Sequence, residues 1–121
     1  MKSSVGEQLV SRILRQNYVS FEYDVELDDL KGVKNGSLRF DFIVSKGNKR
    51  VVIEYNGVFH YNVVKGKTTL HTLCKQQMND LIKHEHCVRT NIPILWIPYW
   101  MRNDEIRKNV VFFLFKHNML G

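Results

Sequence analysis

Two carboxylates, Asp41 and Glu54, stand inside apolar, strand-like runs where a purely structural strand has no need of a charge. The turn signal Gly47-Asn48 separates the two runs and predicts a two-residue β-hairpin loop. In the register that this loop sets, Asp41 lies opposite Glu54. The sequence therefore predicts a pair of neighbouring carboxylates at one end of a hairpin.

Neighbouring carboxylates repel each other, and the repulsion raises the pKa of one of them unless a positive charge intervenes. A divalent cation that prefers oxygen ligands, Mg²⁺ or Mn²⁺, would reduce this repulsion, and such an ion usually acts on phosphate groups. Alternatively, the two carboxylates form ordinary ion pairs with Arg39, Arg50 or a lysine at an exposed end of the sheet. The spacing alone does not decide between a metal site and a structural ion pair.

Side-chain alternation along the two strands predicts one apolar face and one face with a polar end. The polar-ended face is expected to carry Arg39, Asp41, Val52, Glu54 and Asn56. The apolar face is expected to carry Phe40, Phe42, Val44, Val51, Ile53 and Tyr55.

The charge balance of the chain favours a polyanionic partner. Its 121 residues include 18 Lys and Arg against 12 Asp and Glu, which gives a formal net charge of +6. An acidic membrane surface would suit the same charge, but no basic amphipathic anchor stands out and no apolar run approaches the roughly 20 residues of a membrane span. The hydrophobic content of 44% is ordinary for a globular protein, and the length predicts a single domain over residues 1–121.

Several motifs follow one another along the chain. They are Arg39-Phe40-Asp41-Phe42, Ile53-Glu54-Tyr55-Asn56-Gly57, His60-Tyr61, Asp80-Leu81-Ile82-Lys83 with Cys87, and Ile94-Leu95-Trp96-Ile97-Pro98-Tyr99. In this order they resemble the PD-(D/E)XK nuclease superfamily, most closely its small very-short-patch-repair-like and phage-type endonucleases. The resemblance extends from about Glu7 to the last strand. It implies an α/β fold with a restriction-endonuclease-like αβββαβ core, a C-terminal helix and a mixed sheet flanked by helices.

The resemblance also implies an activity, namely Mg²⁺- or Mn²⁺-dependent hydrolysis of DNA phosphodiester bonds, with RNA not excluded as substrate. Asp41 and Glu54 would hold the metal, His60 would transfer a proton or orient the attacking water, and Lys83 would stabilise the transition-state charge. Supporting candidates are Glu7, Arg39, Asn56 and Asp80, and candidate phosphate contacts are Lys65, Lys67, Lys75 and Arg89. Recombination, repair, homing and phage biology would all suit such an enzyme.

Two positions depart from the superfamily pattern. Asn56 stands where the superfamily has a lysine, and Phe59 stands where these relatives often have a glutamine. An uncharged Asn56 can act neither as a cation nor as a base, so the resemblance implies that His60 or Lys83 takes that role. Two other classes of function stay open: a nucleic-acid-binding protein of the same fold with a weakened active site, and a protein-interaction module that needs no metal.

The apolar periodicity predicts the element order αβββαβα, which by itself fits either an α/β or an α+β sandwich. The first helix is expected from about Ser4 to Gln16, where Ser4 and Glu7 fit a capping box, although the resemblance also allows Glu7 to support the site. The other expected elements are a strand from Tyr18 to Glu26, a turn over 27–37, the acidic hairpin, a basic loop over 57–69, a helix from Thr69 to about Thr90, a central strand from Ile92 to Tyr99 and a final helix capped by Asn103.

Each helix has an expected buried stripe. In the first helix the stripe is Val5, Leu9, Ile13 and Leu14; in the second it is Leu70, Leu73, Cys74, Gln77, Leu81, Glu85 and Val88; in the third it is Ile106, Val110, Phe113 and Leu114. The run Val110–Phe115 is too apolar for one helix face and predicts burial in a homodimer. Trp96, Tyr99 and Trp100 are expected in the core or a subunit interface rather than in platforms on which nucleobases stack.

The cysteines and histidines give weaker signals. The chain has two cysteines, Cys74 and Cys87, which are expected to be free thiols in a reducing, cytoplasmic compartment because no signal-peptide core follows Met1. His71, His84 and His86 are zinc-capable types near them, but their spacing fits no zinc motif. His84 and His86 are instead expected to be solvated, and Cys74 to be a small core residue.

Overall fold

The computed structural model of the chain describes residues 4–31 and 37–120, and its element order is αβββαβα, as predicted. The helices are α1 (Val5–Gln16), α2 (Leu70–Arg89) and α3 (Asn103–Lys116), and the strands are β1 (Ser20–Lys31), β2 (Ser37–Lys46), β3 (Lys49–Asn56) and β4 (Ile94–Pro98). A single 3₁₀ turn, Val58–His60, lies in the expected loop between β3 and α2. The expected turn over 27–37 is wrong at its start, because β1 continues to Lys31; residues 32–36 lie outside the described part of the chain.

The four strands form one mixed sheet in the order β1-β2-β3-β4. The first three strands are antiparallel neighbours, and β4 runs parallel to β3 after the crossover through α2. The predicted hairpin register is confirmed from the pair Lys46 and Lys49 to the pair Phe42 and Ile53, and Gly47 takes the positive φ that the tight turn requires. The expected central position of β4 is wrong, because in the described residues β4 pairs with β3 alone and lies at the sheet edge.

Helices cover both faces of the sheet, and each face has its own apolar core. On one face α1 and α3 pack against the sheet, and the buried members from the strands are Phe42, Val44, Val51 and Ile53. On the other face α2 contributes Cys87, which packs with Phe40, Ile43 and Val52. The sheet is therefore a two-sided layer between helices, which is the α/β class expected from the sequence.

One strand residue lies on the face opposite to the one predicted. Phe40 belongs to the α2-side core, whereas Phe42, two residues along, belongs to the core on the other face. Strict alternation fails here because regular pairing stops around Asp41. The β2–β3 ladder ends at Phe42, and Asp24, the β1 residue that faces Asp41 in the register, has a φ of 57°.

The orientation of α2 also differs from the prediction. Leu70, Cys74, Leu81 and Val88 were expected in its buried stripe but are exposed, as are Gln77 and Glu85, while Leu73 is half-buried. The side chains that α2 buries instead are Lys83 and Cys87. The helix is thus rotated so that Lys83 and Cys87, and not the leucines, face the sheet. Both cysteines are free thiols, as expected, but Cys74 is exposed rather than in the core.

The two histidines of α2 that were expected in solvent have different surroundings. His84 is exposed and its Nδ1 accepts a hydrogen bond from the indole nitrogen of Trp96 at 3.3 Å. His86 is half-buried, with its ring 6.3 Å from the ring of Phe40. The apolar packing around Phe40 therefore covers part of the His86 ring.

The terminal helices follow the prediction more closely. In α1 the buried residues are Leu9, Val10, Ile13 and Leu14, whereas Val5 in the first turn is exposed. In α3 the predicted stripe of Ile106, Val110, Phe113 and Leu114 is confirmed, but the N-cap is Arg102 and not Asn103. Phe112 and Phe115 project from α3 into solvent, so the homodimer stays a prediction.

Gly6 allows α1 to approach β3 closely. A Cβ atom at Gly6 would overlap the ring of Tyr55, whereas a Cβ atom at Gly57 would meet open space. We expect Gly6→Ala to lower the free energy of unfolding by about 1–3 kcal/mol, because the ring or the helix must shift. Gly57→Ala is the matched control and should change it by less than about 0.5 kcal/mol. Urea unfolding followed by circular dichroism measures both, and equal effects of the two substitutions would contradict this account.

Candidate active site

Asp41 and Glu54 are held together by hydrogen bonds between each side chain and the backbone of the other strand. The Asp41 amide donates to Glu54 Oε2 at 2.6 Å, and the Tyr55 amide donates to Asp41 Oδ2 at 2.8 Å. These contacts continue the hairpin register past the last ladder pair, Phe42 and Ile53. The predicted adjacency of the two carboxylates is therefore observed. Glu54 is only 1% exposed, so its charge needs a partner.

That partner is Lys83 of α2. Its Nζ donates to Glu54 Oε1 at 2.6 Å, and Lys83 is itself 8% exposed. The amine also lies 5.8 Å from the centre of the Phe40 ring, within the range of a cation–π interaction. Buried lysine side chains are rare unless they are paired with a charge. The orientation of α2 that exposes Leu70 and Leu81 also places Lys83 beside Glu54.

Asp41 carries the most perturbed carboxyl group of the site. Burial is the largest cause and the charge of Glu54 the second, and together with Glu7 they raise the pKa of Asp41 from 3.8 to about 8. The hydrogen bond from the Tyr55 amide and the charge of Lys83 act in the opposite direction but do not prevent the rise. Without a further cation, Asp41 is therefore largely protonated at neutral pH.

The raised pKa predicts how stability depends on pH. Between pH 4 and 8 the folded state holds a proton on Asp41 that the unfolded state has released, so the free energy of unfolding falls as pH rises. The expected slope approaches 1.4 kcal/mol per pH unit at its steepest, about the value for one proton. Urea unfolding at a series of pH values in EDTA measures it. Asp41→Asn should flatten the slope. Glu85→Gln, which removes an exposed carboxylate from α2, should leave the slope unchanged. An unchanged slope in Asp41→Asn would contradict the raised pKa of Asp41.

A surface cavity of about 600 Å³ opens beside Asp41. It lies between the first turn of α1, the end of β3, the 3₁₀ turn and α2. Its lining residues are Ser4, Val5, Gly6, Glu7, Asp41, Tyr55, Gly57, Val58, Phe59, His60, Gln76 and Tyr99. The only carboxylates among them are Glu7 and Asp41. The cavity thus gives Asp41 access to solvent and to a ligand, whereas Glu54 and Lys83 lie behind it.

Glu7 is both a helix cap and a member of the cavity wall. The capping box is confirmed, since the Ser4 amide donates to Glu7 Oε1 at 3.0 Å and the Glu7 amide donates to Ser4 Oγ at 3.2 Å. The second oxygen, Oε2, accepts a hydrogen bond from the hydroxyl of Tyr23 at 3.2 Å. Burial and the charge of Glu7 raise the pKa of Tyr23 to about 12, which keeps the phenol protonated as a donor. The cap thereby fixes a negative charge at the cavity.

His60 lines the cavity and is oriented from α2. Its Nδ1 lies 2.8 Å from Asp80 Oδ2, and Asp80 Oδ1 accepts a hydrogen bond from Gln76 Nε2 at 3.1 Å. Gln77 Nε2 donates to the carbonyl oxygen of His60 at 3.2 Å. In the described part of the chain, Nε2 of His60 has no hydrogen-bond partner. A carboxylate on one ring nitrogen and a free second nitrogen are the arrangement that proton transfer by histidine requires.

The other predicted site residues lie elsewhere. Asn56 is buried at the end of β3. The Arg39 side chain is held outside the cavity by Asp24 at 2.6 Å and Glu26 at 2.9 Å. The candidate phosphate contacts do not line the cavity; Lys65, Lys67 and Arg89 are exposed and Lys75 is half-buried.

Sequence reasoning missed four members of the site: Tyr23, Tyr55, Gln76 and Tyr99. Tyr55 was assigned to the apolar face, which is correct, but that face meets α1 and so reaches the cavity. The spacing of Gln76, Asp80 and Lys83 by four and three residues was the available signal, because it places three polar groups on one helix face.

The donor set fits Mg²⁺ or Mn²⁺ in one respect. Asp41 and Glu54 supply hard oxygen ligands, and a bound cation would oppose the effects of burial and of the Glu54 charge that raise the pKa of Asp41. Within the described residues, no three His, Cys, Asp or Glu side chains come together as a metal-binding group. A site with two carboxylates still suits Mg²⁺, which usually keeps several waters and binds substrate phosphate.

No protein-family model matches this chain, and no curated protein sequence matches it either. No helix in the described residues is long and apolar enough to cross a membrane.

Proposed function

We propose that this chain is a metal-dependent endonuclease that hydrolyses DNA phosphodiester bonds on a PD-(D/E)XK-like scaffold. The observation that carries the proposal is the meeting of Asp41, Glu54 and Lys83 at the end of the β2–β3 hairpin, where the Lys83 amine contacts Glu54 at 2.6 Å. Two carboxylates and a lysine are the groups that the resembling nucleases use, and here α2 supplies the lysine that position 56 lacks. The formal net charge of +6 suits a nucleic-acid substrate.

Each residue of the site has a separate proposed role in hydrolysis. Asp41 and Glu54 would hold Mg²⁺ or Mn²⁺, which when bound supplies an acidified water and neutralises charge on the phosphate. Lys83 fixes the position of Glu54 and adds a positive charge behind it. His60, which lines the cavity and is oriented by Asp80 at Nδ1, would move a proton at Nε2. Glu7 and Tyr23 hold the α1 wall of the cavity in place.

A second candidate is a nucleic-acid-binding protein of the same fold without catalysis. One observation favours it: both oxygens of Glu54 already accept hydrogen bonds, from Lys83 and from the Asp41 amide. A carboxylate has about four lone-pair sites, so these bonds leave room for a metal, but they also describe a self-sufficient ion pair. Activity measurements separate the two candidates.

The test is incubation of the purified protein with supercoiled plasmid, branched DNA and RNA in Mg²⁺, in Mn²⁺ and in EDTA. The proposal expects cleavage of DNA in the presence of metal and none in EDTA. Binding without cleavage under all these conditions would support the second candidate. Neither binding nor cleavage would contradict both.

Binding itself is expected to depend steeply on salt. Surface lysines and arginines would neutralise phosphates and release counterions, so log affinity should fall with log salt, with a slope of magnitude about 3 to 6 for a domain of this size. Fluorescence anisotropy with labelled DNA in EDTA measures it, and the double substitution Lys65→Ala/Lys67→Ala should reduce the slope by about 1 to 2. An affinity that does not change with salt would contradict a phosphate-based interface.

A further inference from the structure

Three aromatic side chains pack against one another beside the cavity. The ring centroids of Tyr61 and Trp100 are 4.8 Å apart, those of Tyr99 and Trp100 are 5.3 Å apart, and those of Tyr61 and Tyr99 are 5.8 Å apart. We call these three residues the aromatic cluster. Tyr61 follows the 3₁₀ turn, and the other two follow β4, so two separate segments of the chain build it.

The aromatic cluster lies on the surface, so the prediction of a core position for Tyr99 and Trp100 is wrong, and their prediction as a subunit interface stays untested. Trp100 is 62% exposed and Tyr99 is 38% exposed. Tyr99 also lines the cavity that contains Asp41, together with the exposed Phe59. Tyr99 therefore joins the aromatic cluster to the cavity wall, and a ligand that extends from the cavity past Tyr99 reaches the exposed ring of Trp100.

The rings are held in place although they are exposed. Tyr99 packs edge-on against Trp100 at an interplanar angle of 80°, and its hydroxyl accepts a hydrogen bond from Asn62 Nδ2 at 3.1 Å. Fixed aromatic faces in water are a poor surface for a monomeric protein unless something covers them. A nucleobase can stack on these rings, since every base presents a π face. It is also the group that nucleic acid would bring beside a site proposed to act on phosphodiesters.

We infer that the aromatic cluster is a stacking site for an unpaired nucleobase next to the phosphate in the cavity. The inference rests on the proposed function for the phosphate and adds the substrate class: nucleic acid with single-stranded nucleotides at the cleavage position. A base inside a duplex has both faces covered by its neighbours and cannot lie on Trp100. An unpaired base can do so without unstacking a helix.

The first test measures binding in EDTA, so that it does not depend on cleavage. The probes are a fluorescein-labelled oligothymidylate and a blunt duplex of the same length, followed by anisotropy. Trp100→Ala should weaken binding of the oligothymidylate by about 10-fold or more, the usual loss when one stacking ring is removed. Its effect on the duplex should stay below about 2-fold. Tyr18→Ala removes another exposed aromatic ring that is not in the cavity lining and should change neither affinity.

A second measurement does not need a change at Trp100. The chain has two tryptophans, so Trp96→Phe leaves Trp100 as the sole indole reporter. Its fluorescence should be quenched when oligothymidylate binds and should change little with the duplex. Trp100→Phe keeps a ring and should retain most of the binding, which separates stacking from damage to the fold.

The outcomes distinguish this inference from the proposed function. Quenching and a single-strand-specific loss of affinity in a protein that never cleaves would support the stacking site and overturn the nuclease proposal. Cleavage of duplex and single-stranded substrates at equal rates, with Trp100→Ala indistinguishable from the unsubstituted protein, would overturn the stacking site alone. Equal weakening of duplex and single-strand binding would also overturn it.

Discussion

Replacing Asp41 with asparagine is expected to reduce metal-dependent cleavage by about 100- to 1,000-fold or more, the scale of losses when an essential electrostatic group is removed. Asparagine retains an oxygen that can accept the hydrogen bond of the Tyr55 amide, so the strand contact at 2.8 Å can survive. What it loses is the anionic charge that the metal requires. Because the charged Asp41 is an unfavourable neighbour for Glu54, the variant should also be at least as stable as the unsubstituted protein above pH 8.

Glu54→Gln should reduce cleavage by a similar factor, but this variant should also lose stability, which complicates the test. Removal of its charge leaves Lys83 buried without a counter-ion, and breaking a buried ion pair on one side costs about 3–5 kcal/mol. Rates for this variant must therefore be divided by the folded fraction, obtained from urea unfolding under assay conditions.

The matched control for both is Glu85→Gln, which removes an exposed carboxylate from α2. It should leave cleavage and stability unchanged within about 0.5 kcal/mol. Each preparation is assayed for cleavage in Mg²⁺ and for DNA binding in EDTA. Binding should persist in Asp41→Asn, because phosphate neutralisation by Lys and Arg supplies most of the affinity. Full cleavage activity in purified Asp41→Asn would remove the carboxylate pair from the mechanism.

The adjacency of Asp41 and Glu54 could be predicted because it depends on local rules. A Gly-Asn turn fixes the hairpin register, and the register fixes which residues face each other across the strands. The capping box of Ser4 and Glu7 and the buried stripe of α3 follow from equally local patterns. These features need no knowledge of how distant elements pack.

The rotation of α2 could not be predicted from its apolar pattern. Its leucines and valine form a plausible stripe, yet Lys83 and Cys87 face the sheet, and Gln76 and Asp80 face the 3₁₀ turn. These side chains face inward because Glu54 and His60 stand opposite them, and a buried Glu54 without a cation would be strongly destabilising. Local patterns commonly fail at functional sites, where polar groups replace apolar packing. The failure at α2 therefore points to the same site that the hairpin indicated.

The position of Phe40 was missed for a related reason. Alternation assumes a regular strand, but regular pairing is interrupted at Asp41, where side chains take over the backbone hydrogen bonds. A carboxylate that accepts an amide hydrogen bond from the next strand replaces one rung of the ladder. This lets the side chain before Asp41 turn towards α2, where its ring lies beneath the Lys83 amine.

Lys83→Met is expected to lower the cleavage rate per folded molecule by about 100-fold or more, the usual loss for a transition-state electrostatic donor. Methionine keeps most of the aliphatic volume against Phe40 and removes only the charge. The same substitution should lower the free energy of unfolding by about 3–5 kcal/mol, because Glu54 stays buried without its partner. Lys108→Met, which removes an exposed lysine of α3, should cause neither change.

The double variant Lys83→Met/Glu54→Gln separates the two roles of the lysine. With both charges removed, no uncompensated ion is buried, so most of the lost stability should return. Cleavage should not return, since the lysine and a metal-binding carboxylate are both missing. Urea unfolding gives the coupling free energy of the pair, and cleavage rates give its catalytic effect. If Lys83→Met cleaved DNA at the unsubstituted rate per folded molecule, the lysine would be a structural counter-ion only, and the positive charge for catalysis would have to come from outside the Glu54 ion pair.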